Sequence, residues 1–224
     1  MSEKMFLYES LLHASVASAY LGGFDYDVTH FIRALNNGGL LDSLFWWVTF
    51  TGSLLFMVLI SIALYLAGAR KEALVVAIVL IITNVVSYWL KYSIARPRPG
   101  DLGVTPENMP AFPSGHTANA FAFATTLSSY HRKFSIVMFS WALLVAFSRA
   151  YLGFHYVTDL IGGALVGITV SIIVTRTAKR IDGEVTRIAN TPPPPTTWHD
   201  VVKLPLAFIT QLLQVASALI RRRE

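Results

Sequence analysis

His155 and Asp159 lie four residues apart in the stretch Ser148 to Asp159 (SRAYLGFHYVTD), a spacing that lets two side chains meet on one helical face. A carboxylate on one imidazole nitrogen leaves the other free to attack an electrophile or take a proton. The plainer alternative is that Asp159 only caps the helix beginning beside it. His116 closes a second stretch, Pro113 to His116 (PSGH), ahead of an apolar run, where an imidazole can protonate a leaving oxygen near neutral pH. The Ser114 and Gly115 amides at that helix start, expected to be unpaired, suit an anion. Ser114 can also serve as an ordinary cap. A third stretch, Lys91 to Pro99 (KYSIARPRP), supplies Lys91 and Arg98, and Arg149 belongs with them because each of the three ends a helical segment. A phosphoryl group in transfer spreads charge over several oxygens, and converging cations stabilise it. One such basic residue alone would be read as a snorkelling side chain. Three beside two histidines point to a phosphate site.

The elements that hold these residues are set by hydropathy. The chain has 224 residues, 54% hydrophobic and 14% charged, against roughly a quarter charged in soluble domains, so it is an integral membrane protein of one domain. Helical spans need about 20 apolar residues. Runs at 44–68, 73–90, 117–130, 134–148 and 160–175 read as successive crossings, and glycines in the last suit close helix packing. The expected fold is an all-α bundle of five to six transmembrane helices with an interfacial C-terminal helix. Basic residues alternate unevenly. Arg70, Lys71, Arg132, Lys133, Arg176, Lys179, Arg180 and Arg187 fall at one end; Arg33, Lys91, Arg96, Arg98 and Arg149 fall at the other. The richer end is cytoplasmic by the positive-inside rule, which brings all three polar stretches to the extracytoplasmic face. The net charge of +5 therefore belongs to membrane edges, and no nucleic-acid partner is expected.

The ends divide off by composition. Residues 5–21 are apolar but contain Glu9 and His13, which favours an interfacial helix over a span, and 22–43 read as a surface segment. The expected layout is an N-terminal segment and outer loop (1–43), a membrane core (44–177), a cytoplasmic linker with the Pro192 to Pro195 run (178–200) and a tail helix (201–224). In the tail, Lys203, Thr210, Gln211, Gln214 and Ser217 share one helical face. No cleavable signal peptide is expected. The chain has no cysteine, which excludes disulfides and thiolate chemistry. Magnesium would need carboxylates; Asp101, Glu107 and Asp159 are the ones near the motifs, and Asp159 is better used on His155. The expectation is covalent catalysis with no metal and no cofactor.

Taken together, Lys91 with Arg98-Pro99, Pro113-Ser114-Gly115-His116, and Ser148-Arg149 with His155 and Asp159 resemble the three-part signature of the type-2 phosphatidic acid phosphatase superfamily, over about 44–177. The resemblance implies that His155 is the nucleophile, oriented by Asp159, and that it forms a phosphohistidine. His116 is then the general acid, and Lys91, Arg98, Ser114, Gly115 and Arg149 bind phosphate. Arg96, off the spacing, has only a supporting place. The implied activity is a metal-independent lipid phosphatase in the plasma (inner) membrane, acting on a lipid phosphate or prenyl diphosphate of the undecaprenyl diphosphate, phosphatidylglycerol phosphate, phosphatidate or lipid A type. The partners are that substrate and membrane lipids, with a homo-oligomer left open. Two alternatives stand beside it: a non-catalytic binder of lipid phosphate, and a phosphatase for a soluble sugar phosphate. The related vanadium haloperoxidases are soluble, and the spans argue against them. The tail helix could also recruit a cytoplasmic partner.

Overall fold

Apolar runs bounded by basic residues fold into helices throughout the described part of the chain, residues 23–36, 38–99, 109–191 and 204–221 of a computed structural model. In order these are α1 (23–34), α2 (Leu40–Thr51), α3 (Leu54–Leu66), α4 (Arg70–Ile94), α5 (Gly115–Tyr130), α6 (Ser135–Tyr151), α7 (Val157–Arg180), α8 (Asp182–Asn190) and α9 (Leu204–Arg221). A 3₁₀ turn, Arg132–Phe134, leads into α6. Three stretches are long and apolar enough to cross a membrane: Arg70–Ile94, Arg132–Tyr151 and Val157–Arg180. The bent pair α2–α3 makes a fourth. Residues 5–21, the greater part of the 101–112 loop, the proline run and Lys203 lie outside the described residues.

The single crossing expected at 44–68 is instead two helices meeting at 59°. Gly52 ends the first, and Ser53 caps the second by accepting a hydrogen bond from the Phe56 amide at 3.2 Å. Packing fixes the break there: a Cβ on Gly52 would lie 2.5 Å from Val145 Cγ1 and 3.2 Å from the His116 carbonyl oxygen. The segment 22–43 is not a mere surface segment either. Its first half is α1, and Asp25 and Thr29 are fully buried against the start of α7.

The core of the bundle is α5 against α7. Ala118, Ala120, Ala122 and Ala124 are completely buried, and glycines of α7 take the facing positions. A Cβ on Gly163 would lie 2.5 Å from the Ser114 carbonyl oxygen, and one on Gly167 only 2.2 Å from that of Ala118. Small residues on both helices let the backbones approach this closely, which holds the Pro113–His116 turn down on the start of α7.

Two findings revise the C-terminal expectations. Within the expected linker, 182–190 form α8, whose Val185, Ile188 and Ala189 are buried; the i, i+3, i+4 spacing makes this short polar helix amphipathic. The tail helix α9 packs on α4 and α8 and buries Val215 and Ala218. Gln211, expected on its polar face, turns inward, accepting from the Tyr65 hydroxyl at 2.8 Å and donating to the Thr191 carbonyl at 3.1 Å.

Candidate active site

Four local structures deliver the expected residues to one end of the bundle. Lys91 sits in the last turn of α4, and its Nζ donates to the Pro110 carbonyl at 2.8 Å and to that of Ala111 at 3.4 Å. Beyond α4, Arg98 Nε donates to the Met109 carbonyl at 2.8 Å and its Nη1 to the Phe154 carbonyl at 3.0 Å. Gly115 and His116 open α5, and His155 lies between α6 and α7. Lys91, Arg98, Gly115, His116 and His155 line one cavity of ≈ 350 Å³. Its wall continues away from the histidines through Asn84, Ser87 and Asn119, with Leu54, Tyr88 and Met109 completing it.

Ser114, Arg149 and Asp159 stand behind that wall. Arg149 is 2% exposed; its Nη1 donates to Thr49 Oγ1 at 3.2 Å and its guanidinium stacks 4.2 Å from the Phe154 ring centre. The Ser114 amide, expected to be free for an anion, donates to the Asp159 carbonyl at 3.0 Å, because α7 approaches the turn so closely. The Ser114 hydroxyl makes no cap; it accepts from Thr117 Oγ1 at 3.1 Å. The anion-facing donors at this helix start are therefore those after Ser114, beginning with Gly115.

His155 is held from both sides. Asp159 Oδ2 lies 3.4 Å from Nδ1, and Arg98 Nη1 lies 3.4 Å from Nε2. A guanidinium can only donate, so Nε2 is the lone-pair nitrogen and Nδ1 carries the proton, towards the carboxylate. Burial, then the charges of Arg149, Arg98, Lys91 and His116, holds the imidazole pKa well below the ordinary histidine value. The ring is thus neutral near pH 7, with its basic nitrogen on the cavity side. Asp159 also does what the plainer alternative required: Oδ2 accepts from the Tyr156 amide at 3.0 Å at the start of α7. One carboxylate oxygen thus meets both the His155 ring and the start of α7.

Two residues that sequence reasoning undervalued complete the site. Arg96 Nη1 donates to Asp159 Oδ1 at 2.7 Å and to Thr158 Oγ1 at 2.6 Å, while Nη2 donates to Asp25 Oδ2 at 2.7 Å. Its plane lies 4.3 Å from the Tyr156 ring centre. Asp25, from α1, accepts in addition from the Thr158 amide at 3.0 Å and from the Thr158 hydroxyl. The Arg-Pro-Arg-Pro run was the only sequence signal for Arg96, and nothing local marked Asp25.

At the opposite end of the bundle basic residues meet a carboxylate and a backbone carbonyl. Lys71 bonds Asp182, and Lys179 donates to the Ser129 carbonyl at 2.6 Å. The two groups of cations counted in the sequence thus occupy opposite ends of the molecule.

Residues 72–182 match the PAP2 superfamily. An undecaprenyl-diphosphatase of Bacillus subtilis (strain 168) is 28% identical over 161 residues, 68% of this chain and 83% of that protein. A lipid A 4'-phosphatase of Bacteroides thetaiotaomicron is 34% identical over 143 residues, 53% of this chain and 62% of that protein. The crystal structure of a transmembrane PAP2-type phosphatidylglycerolphosphate phosphatase from Bacillus subtilis superposes with a TM-score of 0.67 at 26% identity, covering 80% of this chain and 96% of that one. The matched segment contains all three polar stretches, and the superposition extends to nearly the whole of a solved transmembrane relative. The chain belongs to the PAP2 superfamily, as a multi-pass, all-helical membrane protein.

Proposed function

We propose that this protein is a lipid phosphatase that hydrolyses a terminal phosphate through a phosphohistidine on His155. The observation that carries the reading is a neutral, buried imidazole gripped between Asp159 and Arg98 on the wall of a cavity that also receives His116. Nε2 of His155 attacks phosphorus, the bond from phosphorus to the leaving oxygen breaks, and protonated His116 gives that oxygen its proton. Asp159 stabilises the positive charge that develops on the ring. Water then attacks the phosphohistidine, losing its proton to His116, and breaking the P–N bond frees phosphate and restores both histidines. Lys91, Arg98 and the amides from Gly115 onward hold the phosphoryl oxygens. Arg149 and Ser114 act from behind the wall, by field and by fixing the turn. The steps require no metal.

The relatives are named for undecaprenyl diphosphate, lipid A and phosphatidylglycerol phosphate, so the substrate is a lipid phosphate or diphosphate whose tail stays in the bilayer. The proposed bundle crosses five to six times, with the α2–α3 pair, α4, α5, α6 and α7 making five. The end with eight basic residues faces the cytoplasm, and the cavity opens at the outer face of the plasma membrane.

Phosphate release from detergent-solubilised protein tests this directly. His155→Ala should lose release by several orders of magnitude while keeping its elution profile; vanadate should inhibit, and chelator should change the rate little. Release by His155→Ala at the wild-type rate would overturn the mechanism. Absence of release by the wild type from every lipid phosphate offered, with binding retained, would establish the non-catalytic alternative.

A further inference from the structure

The cavity continues past the phosphate cradle along a strip of neutral hydrogen-bonding side chains. On α4, Ser87 and Asn84 sit four and seven residues before Lys91, hence about 6 and 10 Å deeper along the helix. On α5, Asn119 is one turn beyond His116, about 4.5 Å deeper. All three line the cavity. Asn84 Nδ2 donates to Asn119 Oδ1 at 2.8 Å and to the Leu80 carbonyl at 2.8 Å, which joins the two helices and fixes both amides. That pairing leaves Asn84 Oδ1 as an acceptor and Asn119 Nδ2 as a donor. Ser87 is 3% exposed, and its hydroxyl has no partner among the described residues.

An unsatisfied hydroxyl at that depth costs free energy that alanine would avoid, and it does not serve to join helices. Of the buried side-chain hydroxyls without a partner among the described residues, that of Ser87 is the one on this cavity's wall, where an entering group can meet it. With the phosphoryl group between His155 and His116, the leaving alcohol extends from the His116 side into this strip. The cations lining the cavity, Lys91 and Arg98, are committed to the group under attack. A second phosphate in the strip would meet amides and a hydroxyl but no counter-charge, at a large desolvation cost. An uncharged oxygen a few bonds from phosphorus, such as the ester or hydroxyl of a glycerol unit, would find a donor, an acceptor and a hydroxyl already in place.

We propose that Ser87, Asn84 and Asn119 form a subsite for a neutral oxygen function on the leaving alcohol, selecting glycerol-based lipid monophosphates over prenyl diphosphates. The proposal rests on the phosphatase reading above and narrows its substrate class. The test compares kcat/KM of the full-length protein on dioleoyl phosphatidate, on hexadecyl phosphate, which has no second oxygen function, and on farnesyl diphosphate. The wild type should favour phosphatidate over both. Ser87→Ala removes no side-chain hydrogen bond made among the described residues, so it should fold normally, and it should lower the ratio of phosphatidate to hexadecyl phosphate about tenfold. Asn119→Ala should lower the same ratio, with its thermal midpoint recorded because it also cuts the link to Asn84. Equal losses on phosphatidate and hexadecyl phosphate, an unchanged ratio in Ser87→Ala, or a wild-type preference for farnesyl diphosphate would each overturn the subsite while leaving the phosphatase standing. Release from none of the three would overturn the phosphatase reading, and the subsite with it.

Discussion

Arg96 binds two buried carboxylates at once, Asp25 and Asp159, and so helps fix the carboxylate behind His155, the proposed nucleophile. It is not among the residues that line the cavity and acts through Asp159, so it is a positioning residue whose loss should appear in kcat. A shift of about 1 Å at the reacting group costs on the order of a hundredfold, and that is the fall expected for Arg96→Ala, with KM little changed. Arg96→Lys should recover only part, because a single ammonium cannot span both carboxylates as the forked guanidinium does. A rise in KM with kcat intact would place Arg96 in substrate binding instead. His155 sets a pH dependence of definite sign. Its native pKa is lowered by burial and neighbouring cations, so the unfolded chain takes up this proton first on acidification, near pH 6.5. The stability it contributes is complete above that pH and is lost as pH falls below it. The thermal midpoint of the wild type should therefore drop more steeply between pH 7 and pH 5 than that of His155→Gln; parallel curves would refute the assignment. The three signature stretches were legible because each is a contiguous run of unusual residue types. Arg96 with Asp25 was not, because the partners lie 71 residues apart and an aspartate in a polar stretch looks like any surface aspartate.

The helices themselves were largely readable, since runs of apolar residues closed by Arg or Lys can do little else in a bilayer. α4, α5, α6 and α7 fall within a few residues of the expected 73–90, 117–130, 134–148 and 160–175. The break at Gly52 was hidden because the neighbouring residues are uncharged, and the close approach of Val145 and the His116 carbonyl that requires a glycine there is tertiary. α8 was hidden by the reverse problem, a run of polar residues whose few apolar members matter only against a partner. The α5–α7 contact carries its own prediction. Gly167→Ala places a Cβ against backbone, at the Ala118 carbonyl, which cannot rotate away as a side chain would. The helices must separate, at an overpacking cost of about 1–3 kcal/mol, read as a lowered thermal midpoint in detergent. The Ser114 turn rides on the same contact, so phosphate release should fall with it. Gly183→Ala, where a Cβ would meet nothing within 4 Å, is the control and should be near neutral in both.

For the whole molecule, the decisive asymmetry is that the cations of the polar stretches gather at one end while Arg70, Lys71, Arg132, Lys133, Lys179 and Arg180 gather at the other. The absence of native cysteine makes orientation directly measurable. In intact cells, Met109→Cys, an exposed position beside the cavity, should react with a membrane-impermeant maleimide, whereas Arg180→Cys should react only after lysis. The reverse pattern would invert the proposed topology and place the substrate in the inner leaflet. The Asp25 contact with Thr158 spans 133 residues of chain, and this bears on the order in which the molecule is made. α1 leaves the ribosome long before α7, so its aspartate must wait through most of translation for the Thr158 amide and hydroxyl that it accepts from. A nascent chain halted before His155 has His116, Lys91 and Arg98 but lacks the proposed nucleophile. One that has lost α1 has every signature residue, but Arg96 then lacks the Asp25 half of its grip. Under the proposed mechanism, the site is therefore complete only when the earliest and latest parts of the bundle have met, and a half-inserted protein should not release phosphate.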